Sequence, residues 1–207
     1  MACSRIGAIF VPINPRLKYR QLCYVLRDCA ARVLVLGMDT SSGGMLEDCG
    51  DLELVVEVDT PMSGEWKAKH GTTYSELLAQ AISMEPGIGC IDKDPMAIMC
   101  TSSSTGPPKG VVFSHQKVVS GAHCIVQYLS NSHKDRILAA LPLSFDYGFS
   151  QVSSGFSVGA CAVLTYYSLP SALLQEIDRE SITGLEVRLR SGHILPPLSG
   201  PKTPVRR

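Results

Sequence analysis

Residues 101–110, Thr-Ser-Ser-Ser-Thr-Gly-Pro-Pro-Lys-Gly, form the stretch from which the fold and chemistry of this chain are best inferred. An apolar run at 95–100 precedes it and predicts a short buried strand, and another apolar run, 111–113, follows it. Consecutive hydroxyl residues suit a hydrophobic core poorly. Small residues let main-chain N–H groups approach an anion, hydroxyls donate further hydrogen bonds, and Lys109 adds positive charge. The stretch therefore predicts a phosphate-binding loop.

The order of residues distinguishes this loop from other phosphate loops. The Walker loop requires Gly-Lys followed by Ser or Thr, whereas this chain has Pro-Lys-Gly. The stretch instead resembles the phosphate loop of the adenylate-forming (AMP-binding) synthetases, Thr-Ser/Thr-Gly-Ser/Thr-Thr-Gly-x-Pro-Lys-Gly, and departs from it at Ser103, where that family has Gly. A Gly with positive φ or in close contact with phosphate would make Ser103 strain or crowd the loop. A plain polar surface turn is the alternative interpretation.

The resemblance implies an acyl-CoA synthetase reaction. A carboxylate attacks the α-phosphorus of ATP, pyrophosphate leaves, and the thiol of CoA then takes the acyl group from the acyl-adenylate. ATP, Mg²⁺ and CoA are the implied cofactors and co-substrates, and no protein metal site is predicted. His115, at the first turn of a helix that Ser114 is predicted to cap, is a candidate ligand contact. The residues implied to bind the ATP phosphates are Thr101, Ser102, Ser103, Ser104, Thr105, Gly106, Lys109 and Gly110.

A second candidate site lies at residues 141–151, Leu-Pro-Leu-Ser-Phe-Asp-Tyr-Gly-Phe-Ser-Gln, just after a predicted strand. The segment resembles the family's acyl-pocket motif, which implies that Phe145, Asp146, Tyr147 and Gly148 approach the substrate. With 135–140 before it, the segment is most similar to bacterial acyl-CoA ligases associated with exosortase systems. Amino-acid adenylation domains of peptide synthetases, whose Phe-Asp-x-Ser places the Asp against the substrate's ammonium group, are the alternative. Asp146 could also simply cap the following helix.

Bulk composition excludes several classes of protein. The formal net charge is zero, so nothing suggests nucleic acid, and no apolar run is long enough to span a bilayer. The eight cysteines form no C-x-x-C pair and several lie in apolar runs, which indicates free thiols in a reducing compartment. We therefore expect a cytoplasmic protein with a small carboxylic acid or amino acid as substrate and a carrier protein as an alternative acceptor to CoA.

Hydrophobic periodicity predicts an α/β fold with layered, mostly parallel sheets and flanking helices. Helices are predicted over 18–31, from the Thr73–Glu76 capping box, after Ser114, after 151 and after Pro170. Strands are predicted over 8–12, 33–36, 52–58, 95–100, 137–142, 160–164 and from 182. The alternation of the two element types is typical of the family's N-terminal domain, of which this chain resembles an incomplete portion.

The resemblance covers residues 1–186, and the composition changes beyond that point. Residues 187–207 hold five basic side chains, no acid and four prolines. This tail is expected to be disordered or to come from a shifted reading frame. The family's ribose-binding acid and catalytic lid lysine are not recognised, so no catalytic residue is assigned and no turnover is expected from this chain alone. A non-catalytic nucleotide-binding remnant and an unfolded product are the two remaining hypotheses.

Overall fold

The computed structural model describes residues 2–37, 49–58, 70–81, 89–101, 108–165 and 170–185. The chain divides into two compact units, the first comprising 1–91 and 95–112 and the second 92–94 and 113–207, and each is described by itself. The predicted basic tail, 187–207, lies outside the described residues. No helix within the described ranges is long and apolar enough to span a membrane.

The first unit contains a three-stranded sheet in which β1 (Val33–Leu36) pairs with β2 (Leu54–Glu57) and β2 with β3 (His70–Thr73), both in parallel. The register places Val33 opposite Leu54 and Leu54 opposite His70. The elements up to this point are α1 (Ala2–Arg5), α2 (Tyr19–Asp28), β1 (Val33–Leu36), β2 (Leu54–Glu57), β3 (His70–Thr73) and α3 (Tyr74–Gln80).

One face of α2 packs against this sheet and forms the core of the first unit. The buried positions of α2 recur at helical spacing, as the sequence pattern predicts. Alternate residues of β1 point to the same side, so that Leu34 and Leu36 are buried while Val33 and Val35 are exposed. The buried core cluster consists of Leu22, Cys23, Leu26, Leu34, Leu36, Cys49, Leu52 and Val55.

Local hydrogen bonds determine where α2 ends and where α3 begins. Helix α2 ends before the predicted residue 31 because Ala30 adopts a left-handed conformation, with φ of 46°. The amides of Ala30 and Ala31 then donate to the carbonyls of Arg27 and Leu26, which closes the last turn. At α3, the Thr73 hydroxyl accepts from the Glu76 amide and the Glu76 carboxylate accepts from the Thr73 amide, which confirms the predicted capping box.

A second, two-stranded sheet of β4 (Pro95–Thr101) and β5 (Lys109–Ser114) carries the predicted phosphate loop between its strands. Met96, Ala97 and Met99 of β4 are buried, as predicted for an apolar strand. The predicted strand at 8–12 was wrong as a full strand, because pairing there is limited to one parallel bridge between Phe10 and Ala97. Pro12 lacks an N–H donor, and it follows soon after this bridge.

The second unit is built on a parallel sheet in which β6 (Arg136–Ala139) lies between β7 (Cys161–Leu164) and β8 (Gly184–Leu185). Its core contains Leu138 of β6 together with Leu173 and Ile177, which lie on the helix predicted after Pro170. Its elements are α4 (His115–Leu129), β6 (Arg136–Ala139), α5 (Asp146–Ser157), β7 (Cys161–Leu164), α6 (Pro170–Arg179) and β8 (Gly184–Leu185). The predicted α/β class with mostly parallel sheets and flanking helices is therefore confirmed.

Candidate functional site

The two ends of the predicted phosphate loop lie side by side at the ends of β4 and β5. The Thr101 hydroxyl donates a hydrogen bond to the Lys109 carbonyl oxygen at 3.2 Å, and both residues are exposed. The Lys109 side chain makes no ion pair with any other described residue. The predicted ligands Ser102, Ser103, Ser104, Thr105 and Gly106 lie outside the described residues. The structure thus joins Thr101 to Lys109 across the two ends of the loop, and the Lys109 ammonium forms no ion pair within the described part of the chain.

Gly110 has a structural reason to be glycine in addition to its predicted role. A Cβ at this position would lie 2.8 Å from Cγ2 of Ile98 on β4, closer than van der Waals contact permits. The absence of a side chain therefore allows the two strands to approach at the base of the loop. A substitution here would displace the Ile98 side chain or widen the strand pair.

Helix α4 begins directly after β5, and its first turn is fully engaged within the protein. The amides of His115 and Gln116 donate to the carbonyls of Asp94 and Asp92, at 3.1 and 2.8 Å. The Lys117 amide donates to the Ser114 hydroxyl at 3.3 Å, which confirms the predicted cap. These amides are already bonded, so the helix terminus lacks the free N–H groups of an anion site. The partly buried imidazole of His115 stays a prediction as a ligand contact.

The second candidate segment forms a tight turn followed by the first turn of α5. The Phe145 amide donates to the Pro142 carbonyl oxygen at 3.0 Å, and Phe145 is the residue that precedes the helix. Asp146 is the first helical residue rather than the cap, and its Oδ1 accepts from the Tyr147 amide at 2.8 Å. The side chains of Phe145, Asp146 and Tyr147 are all exposed. Two aromatic rings and a carboxylate thus face solvent in one turn.

Gly148 differs from its three neighbours because it is buried. A Cβ built there would lie 2.2 Å from the Pro142 carbonyl oxygen and 2.7 Å from that of Leu141. Only glycine lets the first turn of α5 pack this closely on the preceding backbone. The sequence pattern proposed Gly148 as a pocket residue, and the geometry indicates that it acts by packing. No pattern of neighbouring residues in the sequence predicts this contact.

Cation binding by the protein itself has no support within the described ranges. No group of three or more His, Cys, Asp or Glu side chains there could hold a metal ion. The ammonium of Lys109 is a group that interacts with phosphate oxygens, whereas the single O–H of Thr101 is already donated to the Lys109 carbonyl. The described chemistry of the loop ends therefore suits an anionic ligand.

Comparisons with known proteins show which family this chain is similar to. The AMP-binding enzyme family matches residues 1–187. The long-chain-fatty-acid–CoA ligase FadD13 of Mycobacterium tuberculosis is 30% identical over 141 residues, which cover 68% of this chain and 26% of that protein. The indoleacetate–CoA ligase of Aromatoleum aromaticum is 31% identical over 188 residues, which cover 88% of this chain and 35% of the relative.

Solved structures agree on the fold. The crystal structure of the anthranilate CoA ligase AuaEII in complex with anthranoyl-AMP superposes with a TM-score of 0.75 and 26% identity, over 87% of this chain and 35% of that one. The chain thus spans about a quarter to a third of the length of these relatives. The family match nevertheless covers most of this chain, and the described fold agrees with it. The chain belongs to the AMP-binding enzyme family.

Proposed function

We propose that this chain carries the phosphate loop and the acyl-binding turn of an AMP-forming acid–thiol ligase. The observation that supports this most directly is the loop of residues 101–110, whose ends are held together by the Thr101–Lys109 hydrogen bond in a chain of the AMP-binding family. The exposed Lys109 ammonium lies where the loop returns to β5. An anion bound in the loop would meet that positive charge.

In the proposed reaction a substrate carboxylate oxygen attacks the α-phosphorus of ATP, and the bond to pyrophosphate breaks. The sulfur of CoA then attacks the acyl carbon, and AMP leaves. Negative charge accumulates on the departing pyrophosphate, so aligned N–H and hydroxyl donors with Lys109 would stabilise that step. We assign phosphate binding to the loop residues predicted above. Mg²⁺ would enter with the phosphate oxygens, since the described residues offer it no cluster of their own.

We assign substrate binding to the turn at 145–148. The exposed rings of Phe145 and Tyr147 offer apolar surface for an acyl chain or an aromatic acid. The narrower assignment to the exosortase-associated ligases rests on the sequence of this turn and stays a prediction. Amino-acid activation is the second candidate, because the exposed Asp146 carboxylate could pair with a substrate ammonium group. A carrier-protein thiol would then be the acceptor in place of CoA.

The first test is of ATP binding, and it compares the thermal unfolding of the purified chain with and without Mg-ATP. A ligand at 100 times its Kd stabilises the folded state by about 2.7 kcal/mol. Each kcal/mol raises the Tm of a chain of this size by roughly 2–4 °C. We expect a cooperative transition that Mg-ATP shifts upward. A cooperative transition that ATP leaves unchanged would contradict the assignment of the loop, and a featureless melt would favour the unfolded-product hypothesis.

A pair of lysine variants makes this test specific. Lys109→Ala removes the proposed phosphate contact and should weaken ATP binding about tenfold or more, since hydrogen bonds to charged groups contribute about 1.5–3 kcal/mol. Lys134→Ala removes the same charge from an exposed turn of the second unit and should leave the ATP-induced shift intact. Equal shifts for the two variants would show that Lys109 has no special role.

Turnover is tested separately, by pyrophosphate release with fatty acids, aromatic acids and amino acids. We expect no release from this chain alone, which together with ATP stabilisation is the behaviour of a nucleotide-binding remnant. Release that depends on both ATP and an acid, and that exceeds the Lys109→Ala background, would instead show a competent ligase. The preferred acid would then distinguish acyl-CoA synthesis from amino-acid activation.

A further inference from the structure

The hydroxyl of Ser144 is a buried polar group to which the proposed reaction gives no role. Ser144 is 8% exposed, and its Oγ makes no hydrogen bond to any described residue. A buried hydroxyl without a partner lowers the population of the conformation that buries it by a factor of about 5 to 100. The conformation seen here is therefore less stable than an otherwise equal one that exposes this hydroxyl to water.

The turn that buries Ser144 gains little from apolar burial. The Phe145 amide donates to the Pro142 carbonyl oxygen at 3.0 Å, which closes the turn around Leu143 and Ser144. The two side chains that flank Ser144 are largely in solvent, since Leu143 is 42% and Phe145 is 46% exposed. Segments with few buried apolar contacts open locally at a low free energy. The unpaired hydroxyl and the exposed flanking residues thus both favour opening of this turn.

While it is closed, the turn leaves no room for a ligand between itself and the first turn of α5. Gly148 packs so closely there that a Cβ would lie 2.2 Å from the Pro142 carbonyl oxygen. A substrate would then have to lie on the outer surface, against Phe145 and Tyr147. Small molecules are usually enclosed over most of their surface instead. Opening would separate Phe145 from Pro142 and would give a ligand access to the buried side of the turn.

We propose that the turn at 142–145 opens to admit the substrate acid, and that the unpaired Ser144 hydroxyl keeps its closed form only slightly more stable than its open form. An acid that binds the open form shifts the equilibrium toward it. The apparent affinity is then the intrinsic affinity reduced by the fraction of open turn. The binding of an acid rests on the proposed function, whereas the opening of the turn does not.

Hydrogen exchange at the Phe145 amide, followed by NMR, measures the opening, because this amide is protected while it is bonded to Pro142. Ser144→Ala removes the hydroxyl and adds no volume, so it should raise the Tm and slow this exchange about 5- to 100-fold. Ser132→Ala is the matched control. The Ser132 hydroxyl lies in the loop between α4 and β6 and donates to the Asp135 carboxylate at 2.9 Å. Its loss should lower the Tm and should not slow exchange at Phe145.

Titration with a fatty acid, decanoate, is the second part of the test. We expect Ser144→Ala to weaken decanoate binding by the same factor by which it slows exchange at Phe145, because both depend on the fraction of open turn.

The proposal is overturned if Ser144→Ala lowers the Tm, leaves the exchange at Phe145 unchanged, or binds decanoate as tightly as the wild-type chain does. It also fails if the Phe145 amide of the wild-type chain exchanges as fast as in an unfolded peptide, because the turn would then not be closed. If exchange slows as expected but neither chain binds decanoate or any other acid, the turn opens and the assignment of substrate binding to it is wrong. Decanoate binding that Ser144→Ala leaves unchanged would instead preserve the proposed function and refute the role of opening.

Discussion

At the scale of single residues, Gly148 shows how a small side chain sets the geometry of a candidate site. The turn that presents Phe145 and Tyr147 is closed by packing of α5 on the Leu141 and Pro142 carbonyls, and Gly148 occupies the point of closest approach. Any Cβ there would overlap backbone atoms, which cannot rotate away as a side chain can. The orientation of the exposed aromatic residues therefore depends on a residue that itself is buried.

Gly148→Ala should destabilise the second unit by about 1–3 kcal/mol, the usual cost of overpacking. The matched control is Gly121→Ala in α4, where a Cβ would meet no atom within 4 Å. Alanine there should stabilise the chain by about 0.5–1 kcal/mol because it restricts the unfolded state and favours the helix. Chemical denaturation of both variants checks the prediction. If the two substitutions changed the free energy of unfolding equally and with the same sign, the close contact of Gly148 with Pro142 would not explain the need for glycine there.

At the scale of elements, the N-terminus of α4 depends on its cap. The carbonyls of Asp94 and Asp92 already accept hydrogen bonds from the first two helical amides, so one first-turn amide is left for a side chain to satisfy. The Ser114 hydroxyl satisfies that amide, on Lys117. The strand β5 ends at the same residue, so the cap also marks the transition from strand to helix. Without the hydrogen bond from the Lys117 amide to Ser114, that amide would have to bond to water. The first turn of the helix, which includes His115, would then fray.

Ser114→Ala should therefore lower the free energy of unfolding by about 1 kcal/mol. Ser120→Ala, at an exposed position inside the same helix, is the control, and it should be neutral or stabilising because alanine has the higher helix propensity. Helicity at 222 nm followed through a urea titration measures both. A cap variant as stable as the Ser120 variant would contradict the assigned role of Ser114.

At the scale of the whole molecule, each unit has a buried core and also exposes apolar residues. Val33 and Val35 project from the face of β1 opposite to the buried Leu34 and Leu36, and they are 54% and 60% exposed. Exposed apolar residues on a strand favour association with another chain. The isolated chain should therefore self-associate as its concentration rises.

Replacing both residues with threonine, Val33→Thr with Val35→Thr, should reduce this association while it preserves the β-branched shape that strands favour. Val33→Ile with Val35→Ile keeps the surface apolar and should retain the association. Sedimentation velocity over a hundredfold range of concentration distinguishes the variants. A wild-type chain that stays monomeric throughout would contradict the prediction.

Much of the element order could be predicted from local pattern. The apolar run before the loop, the Ser114 cap and the Thr73–Glu76 capping box all depend on neighbours within four residues, and each is present as expected. Strand β3, at His70–Thr73, was missed because its residues lack apolar alternation, and pairing with β2 decides it instead. Local propensity is weak wherever tertiary pairing supplies the hydrogen bonds.

The phosphate-loop motif, the α/β class and the resemblance to adenylate-forming enzymes could be inferred without the structure, because they depend on residue types at fixed spacing. The packing of Gly148 on Pro142 and the bonding of the α4 amides to Asp92 and Asp94 depend on tertiary structure. Each of these joins groups through the path of the backbone in space. Periodicity reports which face of an element is buried, and it carries no information about which distant atom meets that face.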